Sequence, residues 1–122
     1  MKKNNVVQEK SYAFALRIIN LYKHLTTNKK EVVLSKQVLR SGTSVGANVE
    51  EAIGAHTKKD FLAKLSVANK EARETRYWLR LLKDSGYIEK SAFESILNDC
   101  EEILKIIGAI SKSTKESLRK EE

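Results

Sequence analysis

Arg73, Arg76, Arg80 and Lys83 recur at spacings of three and four residues, which places them along one side of a helix as a row of cations. Such a row can neutralise phosphates without any base-specific geometry, or it can meet carboxylates on another subunit. Lys58 and Lys59 lie upstream and would support the first use. The stretch SGTSVGANVEEAIGAHTKKDF invites a different chemistry, because it holds Gly42, Gly46 and Gly54. A phosphate-cradling loop needs Gly-x-x-x-x-Gly-Lys-Ser/Thr between a strand and a helix, so that loop amides and the lysine converge on the phosphates. Here the first gap is three residues, no lysine follows, and no strand pattern precedes. A dinucleotide fingerprint fails in the same way. These glycines do not serve nucleotide chemistry.

Other catalytic constellations are equally hard to assemble. A di-iron bundle needs inward Glu-x-x-His pairs, and His24 and His56 follow no such motif. His56, near the end of the second helix, suits a helix C-terminus. Glu50, Glu51, Glu71 and Glu74 are interspersed with arginines and lysines. Cys100 falls on an apolar stripe and reads as packing rather than as a nucleophile. No residue is assigned a catalytic, cofactor-binding or metal-ligating role, and an enzyme is not expected.

The elements that carry these residues follow from punctuation and period. Proline is absent and glycine occurs five times in 122 residues, so the chain should form a few long helices. Helix 1 is expected over about residues 6–25, on Phe14, Ile18, Leu21 and Leu25. Helix 2 is expected over about 32–55, after the polar break TTNKKE. Thr57 and Asp60 have capping-box spacing ahead of helix 3, at about 58–84. Its seam of Phe61, Leu65, Ala68, Ala72, Thr75, Leu79 and Leu82 alternates four and three. Gly86 suits the left-handed residue after a helix end. Ser91 and Glu94 look like a second capping box before helix 4, at about 92–116, on Phe93, Leu97, Cys100, Leu104, Ile107 and Ile110. The tail STKESLRKEE loses apolar density and is expected to fray. The sum is one all-α domain over residues 1–122, an antiparallel up-down-up-down four-helix bundle.

Within that bundle Gly42 and Gly46 sit on the core arc of helix 2, with Leu34, Val38, Val45, Val49, Ala52 and Ile53. Glycine in a helix costs about 0.5–1 kcal/mol relative to alanine, so two on the core side are expected to be packing devices. Ala68 and Ala72 on helix 3 are the expected small counterparts. Opposite, Arg40, Ser44, Ala47 and Glu51 form either a solvated face or a subunit contact. Helix 3 has two unlike flanks. Asn69, Arg73, Arg76, Arg80 and Lys83 occupy one, and Asp60, Val67, Glu71, Glu74 and Trp78 the other, about 160° away. Complementary flanks suit head-to-tail contacts that close into a ring, and a solvated helix with intrahelical pairs is the alternative.

With 23 basic and 16 acidic side chains the net charge is +7, which favours polyanions as partners. No apolar run approaches the roughly 18 residues of a membrane span, and no secretory signal is expected. The single cysteine fits a reducing cytoplasm.

The segment LRSGTSVGANVEEAIGAHTKKDFLAKLSVANKEARETRYWLRLL, Leu39 to Leu82, resembles the signature region of the bacterial four-helix bundle family associated with intervening sequences of 23S rRNA genes. The resemblance is carried by Ser-Val-Gly-Ala-Asn-Val-Glu-Glu, Lys-Lys-Asp-Phe and Glu-Thr-x-Tyr-Trp-Leu, and extends over about residues 7–110. It implies an antiparallel bundle and a ring-shaped homopentamer, with no catalytic residue or cofactor. The expected function is therefore a non-catalytic, homo-oligomeric protein associated with RNA or another nucleic acid. If Arg73, Arg76 and Arg80 are taken by subunit contacts, then Lys2, Lys3, Lys29 and Lys30 would carry the binding. The alternative is a ring-shaped adaptor that recruits a protein partner, similar to the accessory proteins of diversity-generating retroelements.

Overall fold

The computed structural model describes residues 2–121, with side chains described for residues 6–121. Four helices follow one another: α1 (Lys2–Thr27), α2 (Val33–Ile53), α3 (Lys58–Asp84) and α4 (Lys90–Glu121), and no strand occurs among the described residues. Each helix packs on its neighbours in sequence, and α4 closes back onto α1. Directions follow from the contacts. Gln8 on α1 bonds to Glu50 on α2, while Ile18 lies beside Gly42. Lys10 pairs with Glu102 and Arg17 with Asp99, so α1 and α4 are antiparallel. Lys58 bonds to Ser117, and Lys83 stands over the Phe93 ring, so α3 and α4 are antiparallel too. The up-down-up-down bundle is what these pairs require.

The helix ends have local causes. At the start of α3 the Thr57 hydroxyl accepts from the Asp60 amide at 3.1 Å, one half of the expected capping box. At its end Gly86 adopts φ +84°, the Tyr87 amide donates to the Leu82 carbonyl and the Gly86 amide to that of Lys83. That is the double bond pattern of a left-handed stop. The start of α2 uses a device the spacing did not reveal. Lys30 turns into the left-handed region at φ 57°, and the buried Glu31 carboxylate then accepts from the amides of Val33, Leu34 and Ser35 at 3.1, 2.9 and 2.7 Å. The Ser35 hydroxyl lies 2.5 Å from the same carboxylate and 2.7 Å from the Glu31 carbonyl.

Two expectations about α4 are corrected. It begins at Lys90, so Ser91 lies inside the first turn rather than capping it. It also continues to Glu121, past the fraying expected near residue 116, because Lys58 engages both Ser117 and Glu121 and ties the last turns to α3. Its buried line is Phe93, Ile96, Cys100, Ile103, Ile107 and Ile110, with Leu97 and Leu104 only half-buried on the flank. A helix contacting neighbours on two sides carries a stripe wide enough to hide which line is central.

The glycines do stand at a close helix crossing, Gly42 against a side chain and Gly46 against backbone, but the partner differs from the expected one. A Cβ on Gly42 would stand 2.7 and 2.8 Å from the Ile18 side chain, and one on Gly46 would stand 3.3 Å from the Ser11 carbonyl oxygen. The close crossing is α1 on α2. Ala68 and Ala72 are buried on α3, where the Cys100 thiol of α4 donates to the Ala72 carbonyl at 3.2 Å. Between α2 and α3 lies a buried polar contact instead: Thr75 Oγ1 is 2.8 Å from Ser41 Oγ and 2.7 Å from the Glu71 carbonyl.

Candidate functional site

The sequence-derived site residues fall on α2 and α3, and their surroundings divide them. Arg40 is drawn across to Glu71 at 3.2 Å and to Glu74, so three of the expected subunit-contact residues satisfy one another within a single chain. Glu71 is buried by this arrangement. Trp78 is half-buried against the core, and its indole N–H reaches Glu74 at 3.4 Å. Ser44 turns its hydroxyl back to the Arg40 carbonyl at 2.7 Å, while Ala47 and Glu51 remain exposed on the outer face of α2.

The cation row on α3 is similarly split. Arg76 reaches Glu101 of α4 at 3.2 Å. Lys83 is partly shielded, 3.4 Å from Asp84 and 5.6 Å from the Phe93 ring centre. Arg73 and Arg80 are exposed and make no ion pair among the described residues. Tyr77, 52% exposed, lies between them, and together with Lys70, Glu74 and Arg76 they line a depression of about 370 Å³. The arrangement offers an aromatic face flanked by guanidinium groups.

A second cationic surface was not read from the sequence. Between α3 and the C-terminal half of α4 runs an open furrow of about 730 Å³, rimmed by Lys59, Lys112, Lys115 and Arg119 with Leu62 and Gly108 in its floor. Ser66, Asn69 and Ser111 supply polar wall groups, and Glu116 is its carboxylate. The signal was present: Lys112, Lys115 and Arg119 have the three-and-four spacing of one helix face. Apolar density alone suggests instead that this segment frays. Of the other cations named from the sequence, Lys29 and Lys30 are exposed in the α1–α2 connection. Lys2 and Lys3 lie outside the residues whose side chains are described.

The remaining reactive groups are placed as follows. Among the described residues no cluster of His, Cys, Asp and Glu side chains has the arrangement to hold a metal ion. His24 is exposed at the end of α1, and His56 is exposed beyond the end of α2, in the connection to α3. Burial pushes the Cys100 thiol up to about 12, with the Glu101 charge acting in the same direction and Arg76 opposing. A thiol held so far from its thiolate is a poor nucleophile. Alkylation of native protein by iodoacetamide at pH 8 should therefore be at least about 100-fold slower than in denaturant, where the usual thiol value near 8.5 returns. Comparable rates in the two states would contradict this burial. No described helix is long and apolar enough to cross a membrane.

The family model for 23S rRNA-intervening sequence proteins matches residues 3–109. The fold superposes with a TM-score of 0.89 on a crystal structure from Bacteroides thetaiotaomicron, of a protein described as having unknown function and belonging to the S23 ribosomal protein family. The two are 55% identical, over 90% of this chain and 98% of that one. Among curated proteins none matches the chain.

Proposed function

The chain belongs to the 23S rRNA-intervening sequence protein family, and from that membership we propose that it is a non-catalytic, ring-forming homo-oligomer that associates with RNA in the cytoplasm. The observation that supports RNA association most directly is the uneven distribution of its charge. Glu71, Glu74, Asp99, Glu101 and Glu102 are taken up by basic side chains on neighbouring helices. The cations left exposed and without an ion pair among the described residues include Arg73, Arg80 and the rim of the furrow, on the outside of α3 and the end of α4, in a chain whose net charge is +7. Exposed cations of this kind release counterions from a phosphate backbone and need no fixed base sequence.

Assembly rests on a separate argument. The outer face of α2 keeps Ala47 and Glu51 free, and the outer face of α3 keeps Arg73, Tyr77 and Arg80 free. A carboxylate on one copy and guanidinium groups on the next suit a heterologous contact, which closes when the rotation between copies allows. The resemblance of the sequence to a family of ring-shaped pentamers supplies the subunit number.

Electrophoretic mobility shift with fragmented ribosomal RNA tests the RNA reading. Binding is expected at low salt, with log K falling linearly as log salt rises. The absence of any shift at low salt would end it. Light scattering on the eluting protein tests assembly, and a lone copy at high concentration would remove the ring.

A further inference from the structure

The arginine row cannot be fully committed both to a neighbouring copy and to a polynucleotide, and the α3–α4 furrow offers a separate place for the latter. We propose that this furrow binds single-stranded RNA, with phosphates on Lys59, Lys112, Lys115 and Arg119 and bases lowered onto the apolar floor beside Gly108; this rests on the RNA association proposed above.

The rim cations are unspent. None of Lys59, Lys112, Lys115 and Arg119 makes an ion pair among the described residues. Lys58, next to them, is spent on Ser117 and Glu121, and by that contact it fixes the end of α4 beside the start of α3. The wall of the furrow is thus set before a ligand arrives, which limits the ordering cost of binding. The acidic stretch of α4 offers no rival occupant from a second copy. Its Asp99, Glu101 and Glu102 are held by Arg17, Arg76 and Lys10 of their own chain.

Gly108 is the independent mark of an opening. Gly42 is explained by Ile18 pressed against it, but nothing lies within 4 Å of a Cβ built on Gly108. A glycine deep inside α4 therefore gives up helix stability without any packing need, and its effect is to keep the floor of the furrow clear. Width then selects the ligand class. Packed helices lie roughly 8–10 Å apart, and the furrow between them is too narrow to seat a duplex, whose bases are in any case stacked and turned inward. A single strand can place phosphates on the rim and unstacked bases on Leu62 and the Gly108 floor. Ser66, Asn69 and Ser111 can meet ribose hydroxyls.

Fluorescence anisotropy tests this with a labelled oligouridine of about twelve nucleotides, within the usual span of single-strand sites, and an RNA duplex of equal length. The single strand should bind at least about tenfold more tightly than the duplex. Gly108→Leu should weaken single-strand binding by about tenfold or more while leaving the melting temperature equal or higher, because the new side chain enters the furrow and not the core. Gly108→Ala should raise the melting temperature by a few degrees. The double variant Lys112→Glu/Lys115→Glu should lower the salt slope by about 0.7 for each phosphate that it no longer neutralises. Arg73→Glu/Arg80→Glu should weaken oligouridine binding less than the lysine double variant does. Equal affinity for the duplex, an unaffected Gly108→Leu protein, or loss of binding only in the arginine variant would each overturn the furrow while preserving RNA association. Failure of the wild type to bind any RNA at low salt removes both. A change of oligomeric state in Gly108→Leu would assign the furrow to contact between copies and overturn the proposal.

Discussion

Glu31→Ala should lower the stability of the bundle by about 2–3 kcal/mol, the range for hydrogen bonds to a charged group combined with loss of a helix cap. The residue accepts from Val33, Leu34 and Ser35, the amides that open α2, and it is buried, so water cannot take its place cheaply. Urea unfolding should show a lower midpoint with an unchanged slope. A loss below about 0.5 kcal/mol would mean that the cap contributes no more than an ordinary exposed residue. The effect should also depend on pH. Burial by itself would push the Glu31 carboxyl up, but the Ser35 hydroxyl and the amides of Leu34, Ser35 and Val33 together outweigh it and hold the group below the ordinary carboxylate range. A carboxylate held low in the folded state contributes stability above its unfolded value, about 4.3, and loses that contribution as pH falls through the folded value. The gap between wild type and Glu31→Gln should therefore be full at pH 7 and narrow in acid. A gap that stays constant down to pH 2 would contradict the assignment.

Gly42 carries the other large effect. Alanine there gains about 0.5–1 kcal/mol of helix propensity, yet its Cβ would meet Ile18 at 2.7, 2.8 and 3.2 Å. Overpacking of that kind costs about 1–3 kcal/mol, so Gly42→Ala should be destabilised by about 1–2 kcal/mol net. Gly42→Leu should lose more than about 3 kcal/mol or fail to fold, because the side chain must part α1 from α2. Gly46→Ala, 3.3 Å from the Ser11 carbonyl oxygen, should lie between these and neutrality. The cycle with Ile18→Ala separates the clash from other causes. Removing the Ile18 branches leaves room for the new methyl, so the double variant should recover about 1–2 kcal/mol relative to the sum of the singles. Strict additivity would place the strain elsewhere.

The fold was legible because periodicity, the absence of proline and the Gly86 stop all pointed the same way. The α3 seam from Leu65 to Leu82 reads off the sequence because three-four spacing is a direct projection of helix geometry. Which helix meets which is not projected in that way. Gly42 and Gly46 announced a close approach, but the sequence of α2 alone does not tell whether α1 or α3 supplies the second backbone. The Glu31 cap was hidden for a different reason. It depends on a left-handed Lys30, a conformation that lysine does not signal. In the candidate site, the exposure of Arg73 and Arg80 agrees with their spacing, whereas the engagement of Arg40 and Arg76 depends on carboxylates 31 and 25 residues away along the chain. The furrow went unread because the end of α4 was judged by its apolar content, while Lys58 holds it in place through polar contacts.

The hydroxyls of Ser41 and Thr75 carry a consequence for alignment. Thr75 has one proton to give, and with the Glu71 carbonyl as its natural acceptor, Ser41 is left to donate to Thr75. A slide of α2 along α3 by a single turn would exchange one set of valines and leucines for another at little expense, but it would part the Ser41 hydroxyl from Thr75, whose own bond to Glu71 stays within α3, and leave it unpaired at about 1–3 kcal/mol. The surrounding aliphatic side chains supply adhesion without direction. This one polar contact works as an index mark, telling two otherwise slippery surfaces where to stop.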